Sequence, residues 1–485
     1  MMQNLTKYTY TMKQKIEKYT YAMKHFCIFA AEKQFIAKET MFERNIEKEL
    51  TLWANDKYRK PLVLRGARQV GKTTVVKRLA LQFDNFLAIN LEKSDAVRLF
   101  ESTDHVRELL PQLFLYCNLS KKEGRTLLFI DEIQNSPHTV ALLRYFYEEL
   151  PEIHVIAAGS LLETLLDKHI SLPVGRVQYM ALQPCSFIEF LNATGESRFI
   201  EPILNASLPA AFHNNLTQQF NTYALIGGMP EVVAHYAAEK DVLALSKIYN
   251  ELLNAYKSDV EKYAKNNTQA AVIRYILDEG WAFAGENISL GEFAGSPYKA
   301  RETGEAFRTL NKAMLLELAY PVTSAKMPAI SDLKKSPKLF WLDIGLVNYS
   351  AKIQKEYILS TDLSDTWRGK SSEQIVAQEL KALSYEVGEK RNFWMRNKRG
   401  SSAEVDFVFI FDGLLIPIEV KSGHNAHLKS LHQFMDETPH DLAVRVWSGG
   451  FSIDKVKTVA GKSFRLINMP FYMIAALPKI LTDSI

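Results

Sequence analysis

The run Gly66-Ala67-Arg68-Gln69-Val70-Gly71-Lys72-Thr73 fits G-x-x-x-x-G-K-[ST]. Its spacing suits a phosphate chain. Gly66 and Gly71 let the backbone approach where side chains would collide. The N–H groups of Ala67, Arg68, Gln69, Val70 and Thr74, with the start of the following helix, offer partial positive charge. Lys72 is placed to reach the β- and γ-phosphates of ATP, and Thr73 to ligate Mg²⁺. About 60 residues on, Thr126-Leu127-Leu128-Phe129-Ile130 ends in Asp131-Glu132. Asp131 suits Mg²⁺, directly or through water, and Glu132 suits polarising an attacking water. Ser160, after His154–Gly159, is either a γ-phosphate sensor or a plain helix cap. Arg176, on a loop, is either a charge-stabilising arginine, acting in cis or from a neighbouring subunit, or an ordinary surface residue.

A second set lies near the C-terminus. Glu373 sits on an expected helix, Asp406 near the start of an apolar strand, and Glu419 and Lys421 on the next strand as E-x-K. The pattern D-x₁₂-E-x-K after an acid-bearing helix resembles the PD-(D/E)xK nuclease fold. That resemblance implies Asp406, Glu419 and Glu373 around one Mg²⁺, with Lys421 positioning water for phosphodiester hydrolysis. Glu419 and Lys421, two apart, share a strand face. The alternative is an alternating strand whose charges face water.

The elements that must position these groups are legible in outline. Leu62–Leu64 reads as a strand feeding the loop, and Val75, Val76, Leu79 and Ala80 lie at helical spacing behind it. Apolar runs at 86–91, 126–130 and 154–158 read as buried parallel strands. Residues 187–263 read as helical, broken at Gly227-Gly228-Met229-Pro230. From 270 to 350, a short helix at Ile288–Ala294, a longer one at Arg301–Leu315 and strands at Leu316–Val322 and Lys338–Leu342 suggest a winged helix. Its longer helix mixes Arg301, Arg308 and Lys312 with Glu302 and Glu305, so DNA-binding and purely structural versions both remain open.

The segments GARQVGKTT, LLFIDEIQ, AAGSLLE, Gly175-Arg176 before LQPCSFIEFL, and LIGGMPEVV resemble a family of prokaryotic AAA-like ATPases with a C-terminal DUF4143 domain. The resemblance runs from about Met41 to about Gly450. The expected class is α/β: a P-loop NTPase (AAA+-like) core at 41–190, a helical lid at 191–269, a winged-helix-like part at 270–350, a nuclease-like α/β domain at 360–460 and a tail at 461–485.

Composition bounds the rest. The chain has 485 residues, 47% hydrophobic and 24% charged, which suits several globular domains. No apolar run nears the ~20 residues of a membrane span. Three scattered cysteines give no disulfide framework or zinc site and fit a cytoplasmic protein. Residues 1–40 hold seven Lys against three Glu and thereby carry the whole net charge of +4. They read as a basic extension, with Met41 as the expected natural start. Three functions follow in order of fit. The first is an ATPase coupled to a nuclease-like domain acting on DNA, possible as a homo-oligomer that supplies the arginine in trans. The second is an ATP switch whose appended modules bind partners without cutting. A small-molecule kinase comes last, because it leaves the C-terminal carboxylates unused.

Overall fold

The computed structural model describes residues 42–159, 175–354, 365–397, 403–421 and 428–485. The extension 1–40, the Met41 start and Ser160 lie outside the described residues.

Strands β1 (Leu62–Arg65), β2 (Asn85–Asn90), β3 (Thr126–Asp131), β4 (Ile153–Gly159) and β5 (Gln178–Ala181) form one parallel sheet in the order β2-β3-β4-β1-β5. Its central strands are buried on both faces, as continuous apolar runs require. Alternate residues serve different cores. Val63, Leu128, Ile130 and Val155 pack with the helices that follow β2 and β3. Leu62, Leu64, Phe129 and Ile156 face the other way, into a core that continues through the rest of the chain as far as Leu481. The helices over 46–55 and 72–80 cover this second face and share one core with the C-terminal two-thirds of the protein.

Helices α1 (Ile46–Asn55), α2 (Lys72–Ala80) and α3 (Pro137–Glu149) flank this sheet. The connector holds α4 (His213–Ile226), α5 (Pro230–Glu239) and α6 (Ser246–Ser258). Gly227 ends α4 at φ +76°, and Pro230 opens α5 at its first turn, where a missing N–H costs nothing.

Between 267 and 341 the order is α7 (Asn267–Glu279), two 3₁₀ turns (Gly280–Phe283 and Phe293–Gly295), α8 (Ala300–Lys312), β6 (Leu316–Ala319), β7 (Pro321–Val322) and β8 (Lys338–Trp341). Two expectations need correcting. The helix over Ile288–Ala294 is only the turn Phe293–Gly295, because Glu292 and Ala294 take φ of 54° and 53°. The strand over Leu316–Val322 breaks at Tyr320. Its first half pairs antiparallel with β8, while Pro321 and Val322 pair with Phe393 and Trp394 of the C-terminal sheet. The middle region and the C-terminal domain thus share a sheet.

Then come α9 (Ile344–Ser350), α10 (Asp365–Ala382), β9 (Asn392–Met395), β10 (Glu404–Phe411), β11 (Leu414–Lys421), α11 (Lys429–Glu437), β12 (Leu442–Trp447), β13 (Ser452–Lys457) and β14 (Ser463–Pro470). The sheet order is β13-β14-β12-β11-β10-β9-β7. Strands β9 to β11 run antiparallel, α11 crosses over, and β12 lies parallel to β11. The segment 461–485 is not an appended tail. β14 is an interior strand, parallel to β12 and antiparallel to β13, and Ile474, Leu477 and Leu481 are buried behind it.

Helix α10 lies at the centre. Seven successive residues, Gln374 to Leu380, are buried, including Gln374, Gln378 and Glu379. Glu379 accepts from Phe187 N at 3.0 Å and from the Tyr223 hydroxyl at 2.7 Å. Burial pushes its carboxyl from 4.5 up to about 7, and pushes Asp343 from 3.8 up to about 6. A carboxyl raised on folding binds its proton more tightly in the folded state. Its stabilising effect is complete below the unfolded value and is lost as pH rises through the folded one. The melting temperature should therefore fall between pH 5 and pH 8. Glu379→Gln keeps an acceptor oxygen without the charge and should recover on the order of 3 kcal/mol at pH 8. Melting curves of both proteins across this range check it, and identical pH slopes would exclude Glu379 as the cause.

Candidate functional site

β1 ends at Arg65, and α2 begins at Lys72 after the loop. The two glycines serve different needs. Gly71 takes φ +96°, a conformation that a side chain would strain. A Cβ on Gly66 would lie 2.7 Å from Leu182 O and 2.9 Å from Val70 Cγ2, so Gly66 answers to packing against the exit of β5. Lys72 Nζ donates to Gly66 O at 3.0 Å and Ala67 O at 2.9 Å, so the loop curls around its own ammonium. Burial lowers this lysine to about 8, while Glu132 and Asp131 pull it upward.

The tip of β3 meets the loop. Thr73 Oγ1 donates to Asp131 Oδ2 at 2.8 Å. Two hard oxygen donors side by side next to a phosphate-sized nest fit Mg²⁺. Glu132 takes φ 54°, a left-handed conformation that costs a non-glycine residue of order 1 kcal/mol and concentrates at functional sites. Its carboxylate accepts from the Gln134 amide. These groups line a cavity of about 450 Å³ with Phe42, Arg44, Arg68, Gln69, Gly71, Thr74, Val75, Pro230, Glu231 and Ala234. One wall is thus α5 of the connector. Phe42, Pro230 and Ala234 supply apolar surface of the kind a nucleobase packs on.

The loop is held from outside. Arg44 is buried and donates to Val70 O at 3.0 Å, Gln183 O at 2.8 Å and Glu189 Oε1 at 2.9 Å. Arg68 pairs with Asp259 at 2.9 Å and Glu92 at 3.2 Å, and the Tyr256 hydroxyl donates to Arg68 O at 3.2 Å. The motif gave no sign of Arg44 or of Tyr256. Arg176 is not among the residues lining the cavity. It is about half-exposed and pairs with Glu148, which Arg144 also holds.

The C-terminal residues converge, with two additions. Lys421 Nζ lies 2.8 Å from Glu419 Oε1, and Asp406 Oδ2 accepts from Val420 N at 2.7 Å. Lys338 of β8 enters the same cluster, 2.8 Å from Glu373, 2.7 Å from Glu404 and 3.7 Å from Asp406. Burial, then the charge of Asp406, pushes Glu373 up to about 7 and Glu419 up to about 8, with Lys338 and Lys421 opposing. Burial also raises Asp406. Among the described residues no three acidic or metal-binding side chains are arranged to hold a metal ion. Glu373 and Asp406 face the Lys338 ammonium, and Glu419 faces that of Lys421. Glu404 was signalled by its place two residues before Asp406. Lys338 carried no such signal.

The two sites are joined. Gly228 N, two residues before Pro230, donates to Asp343 Oδ2 at 2.6 Å, and Gln378 Nε2 donates to the same oxygen at 3.3 Å. Gln378 Oε1 accepts from Ile344 N at 2.9 Å, and Gln374 exchanges bonds with both Trp341 backbone groups at 2.9 and 2.8 Å. Glu373 is the next residue along α10.

The buried Arg44 yields a prediction. Arg44→Ala leaves Glu189 buried without its guanidinium and frees Val70 O, which should cost roughly 3–5 kcal/mol. Arg44→Lys keeps the charge but not the fork and should fall between. Thermal melts together with titration of a fluorescent ATP analogue check this. Unchanged nucleotide affinity in a folded Arg44→Ala protein would rule out a brace on the loop.

Comparison with known proteins gives three family matches. Residues 58–191 match an AAA domain, 217–357 a domain of unknown function (DUF8612) and 368–468 a domain of unknown function (DUF4143). No curated protein matches the chain. Among solved structures it is similar to a Walker-type ATPase of Pyrococcus abyssi, at 15% identity over 64% of this chain and 96% of that one, TM-score 0.39. It is also similar to the RuvB Holliday junction branch migration motor of Thermotoga maritima, at 17% over 60% and 92%, TM-score 0.25. A third is AMPPCP-bound DnaA from Aquifex aeolicus, at 12% over 55% and 86%, TM-score 0.25. No helix among the described residues is long and apolar enough to cross a membrane. With its P-loop, its parallel sheet and the matched family, the segment 58–191 is an AAA-like P-loop ATPase domain.

Proposed function

We propose that this protein is an Mg²⁺-dependent ATP hydrolase that uses turnover to switch its C-terminal half, and that this half engages DNA. The observation that carries the switch is the hydrogen-bonded path from the cavity wall at Pro230, through Gly228 and Asp343, to Gln378 on α10. In this reading Lys72 leaves its loop carbonyls for the β- and γ-phosphates. Thr73 and Asp131 hold Mg²⁺, which when bound would neutralise phosphate oxygens. Glu132 orients the attacking water and takes its proton. Ser160 follows β4 and is assigned the γ-phosphate sensor role. Arg176 lies on the surface beside α3 and would act on the site of a neighbouring copy in a homo-oligomer.

DNA is proposed from exposed charge. Arg301 and Arg308 lie on the outer face of α8, and Lys326, Lys334 and Lys335 on the loop between β7 and β8. In a winged-helix reading these are the recognition helix and the wing. A second reading adds cutting. It is favoured by the order helix, three antiparallel strands, helix, parallel strand, which resembles the PD-(D/E)xK plan, and by Lys421 beside Glu419, Asp406 and Glu373.

Two measurements test the proposal. Lys72→Ala should lose ATP binding, whereas Glu132→Gln should retain it and slow turnover by ~10²–10⁴-fold. Turnover by Glu132→Gln at the wild-type rate would remove Glu132 from the mechanism. DNA retention should weaken linearly in log–log salt plots, and Lys334→Ala with Lys335→Ala should lower the slope by about 2. A salt-independent or absent interaction would exclude DNA as the partner of this face.

A further inference from the structure

Lys338 is 3% exposed, yet it stands on a two-stranded sheet outside the domain whose acids it meets. Its backbone is fixed by pairing with Ala319 and by a bridge to Asn287. Its ammonium faces Glu373 from α10 and Glu404 and Asp406 from β10, and lies 5.1 Å from the centroid of the Phe393 ring. The carboxylate oxygens are largely spoken for. Glu404 Oε2 accepts from Asn287, Asp406 Oδ2 from Val420 N, and Glu419 Oε1 meets Lys421. Glu419 Oε2 is buried with no hydrogen-bond partner.

We propose that Lys338 is the built-in cation of this cluster, occupying the position between Glu373, Glu404 and Asp406 and excluding a divalent metal from it. The reason is geometric and electrostatic. Oxygens that must converge within about 2.0–2.6 Å of a hard dication are here spread around an ammonium, those of Glu373 and Glu404 at 2.8 and 2.7 Å and that of Asp406 at 3.7 Å. Two cations cannot share that space, since like charges ~4 Å apart repel by several kcal/mol at protein-like dielectric. The cluster then works as a joint that fastens β8 to α10 and the C-terminal sheet. The cutting reading, which needs a metal ligated by Glu373 and Asp406, would therefore require Lys338 to leave the cluster first. The same acids become a divalent-cation site, with Glu419 Oε2 as a free donor, once the ammonium is removed.

The test uses the full chain without nucleotide, so that the P-loop contributes equally to every sample. Mn²⁺ binding is counted by electron paramagnetic resonance for the wild type, Lys338→Ala, Asp406→Asn and the double variant. The expected result is no Asp406-dependent Mn²⁺ in the wild type and one additional ion in Lys338→Ala that the double variant loses. An ion in the wild type that Asp406→Asn abolishes would overturn the proposal. So would a folded Lys338→Ala protein that gains none. If Lys338→Ala does not fold, Lys338→Gln takes its place, retaining a donor to Glu373 or Glu404 without the charge. The count reads metal and not ATP turnover, so failure of the ATPase reading would be seen separately.

Discussion

A helix buried on every side cannot carry polar side chains unless each finds a partner, and α10 carries Gln374, Gln378 and Glu379 into the interior. An unpaired buried amide or carboxyl costs a few kcal/mol, so the surroundings of α10 must be built to receive it. Gln374 takes the backbone of Trp341, Gln378 takes Ile344 N and Asp343, and Glu379 takes Phe187 N and Tyr223. Those partners come from the ATPase border, the connector and the middle region. Satisfying one helix thus locks three sequence regions into a single core.

Close backbone approach completes the lock. A Cβ on Gly228 would fall 2.1 Å from Cys185 O, and one on Gly345 would fall 2.0 Å from Ile226 O. Only glycine lets these chains touch, and the contacts sit between the cavity wall at Pro230 and α10. In the proposed switch, a shift of α5 toward a phosphate would pass through atoms already in van der Waals or hydrogen-bond contact. No slack exists there to absorb it.

Two buried lysines show how surroundings set a role. Lys72 is held by two neutral carbonyls, so its charge is unspent and suits an anion. Lys338 is held by carboxylates, so its charge is already matched. The same side chain is thus suited to a ligand-binding role in one site and to that of a structural cation in the other, because only the partners differ.

By itself the sequence determined what is local. The P-loop, its strand and helix, the Asp131-Glu132 tip and the E-x-K strand are encoded within short spans, where spacing fixes which atoms meet. The strand period put Glu419 and Lys421 on one face, whereas their meeting with Glu373 and Asp406 was implied only by the resemblance to the nuclease fold. Tertiary structure decided what depends on distant chain meeting distant chain. The break at Tyr320 sends β7 into another sheet, since Pro321 and Val322 find partners in β9. Residues 463–470 became an interior strand because β12 offered an unpaired edge. Arg44 reaches Val70 and Glu189 only after the sheet folds. Lys338 reads in sequence as one charge at the start of an apolar strand. Its meeting with Glu404, far along the chain, rests on packing that no local period records.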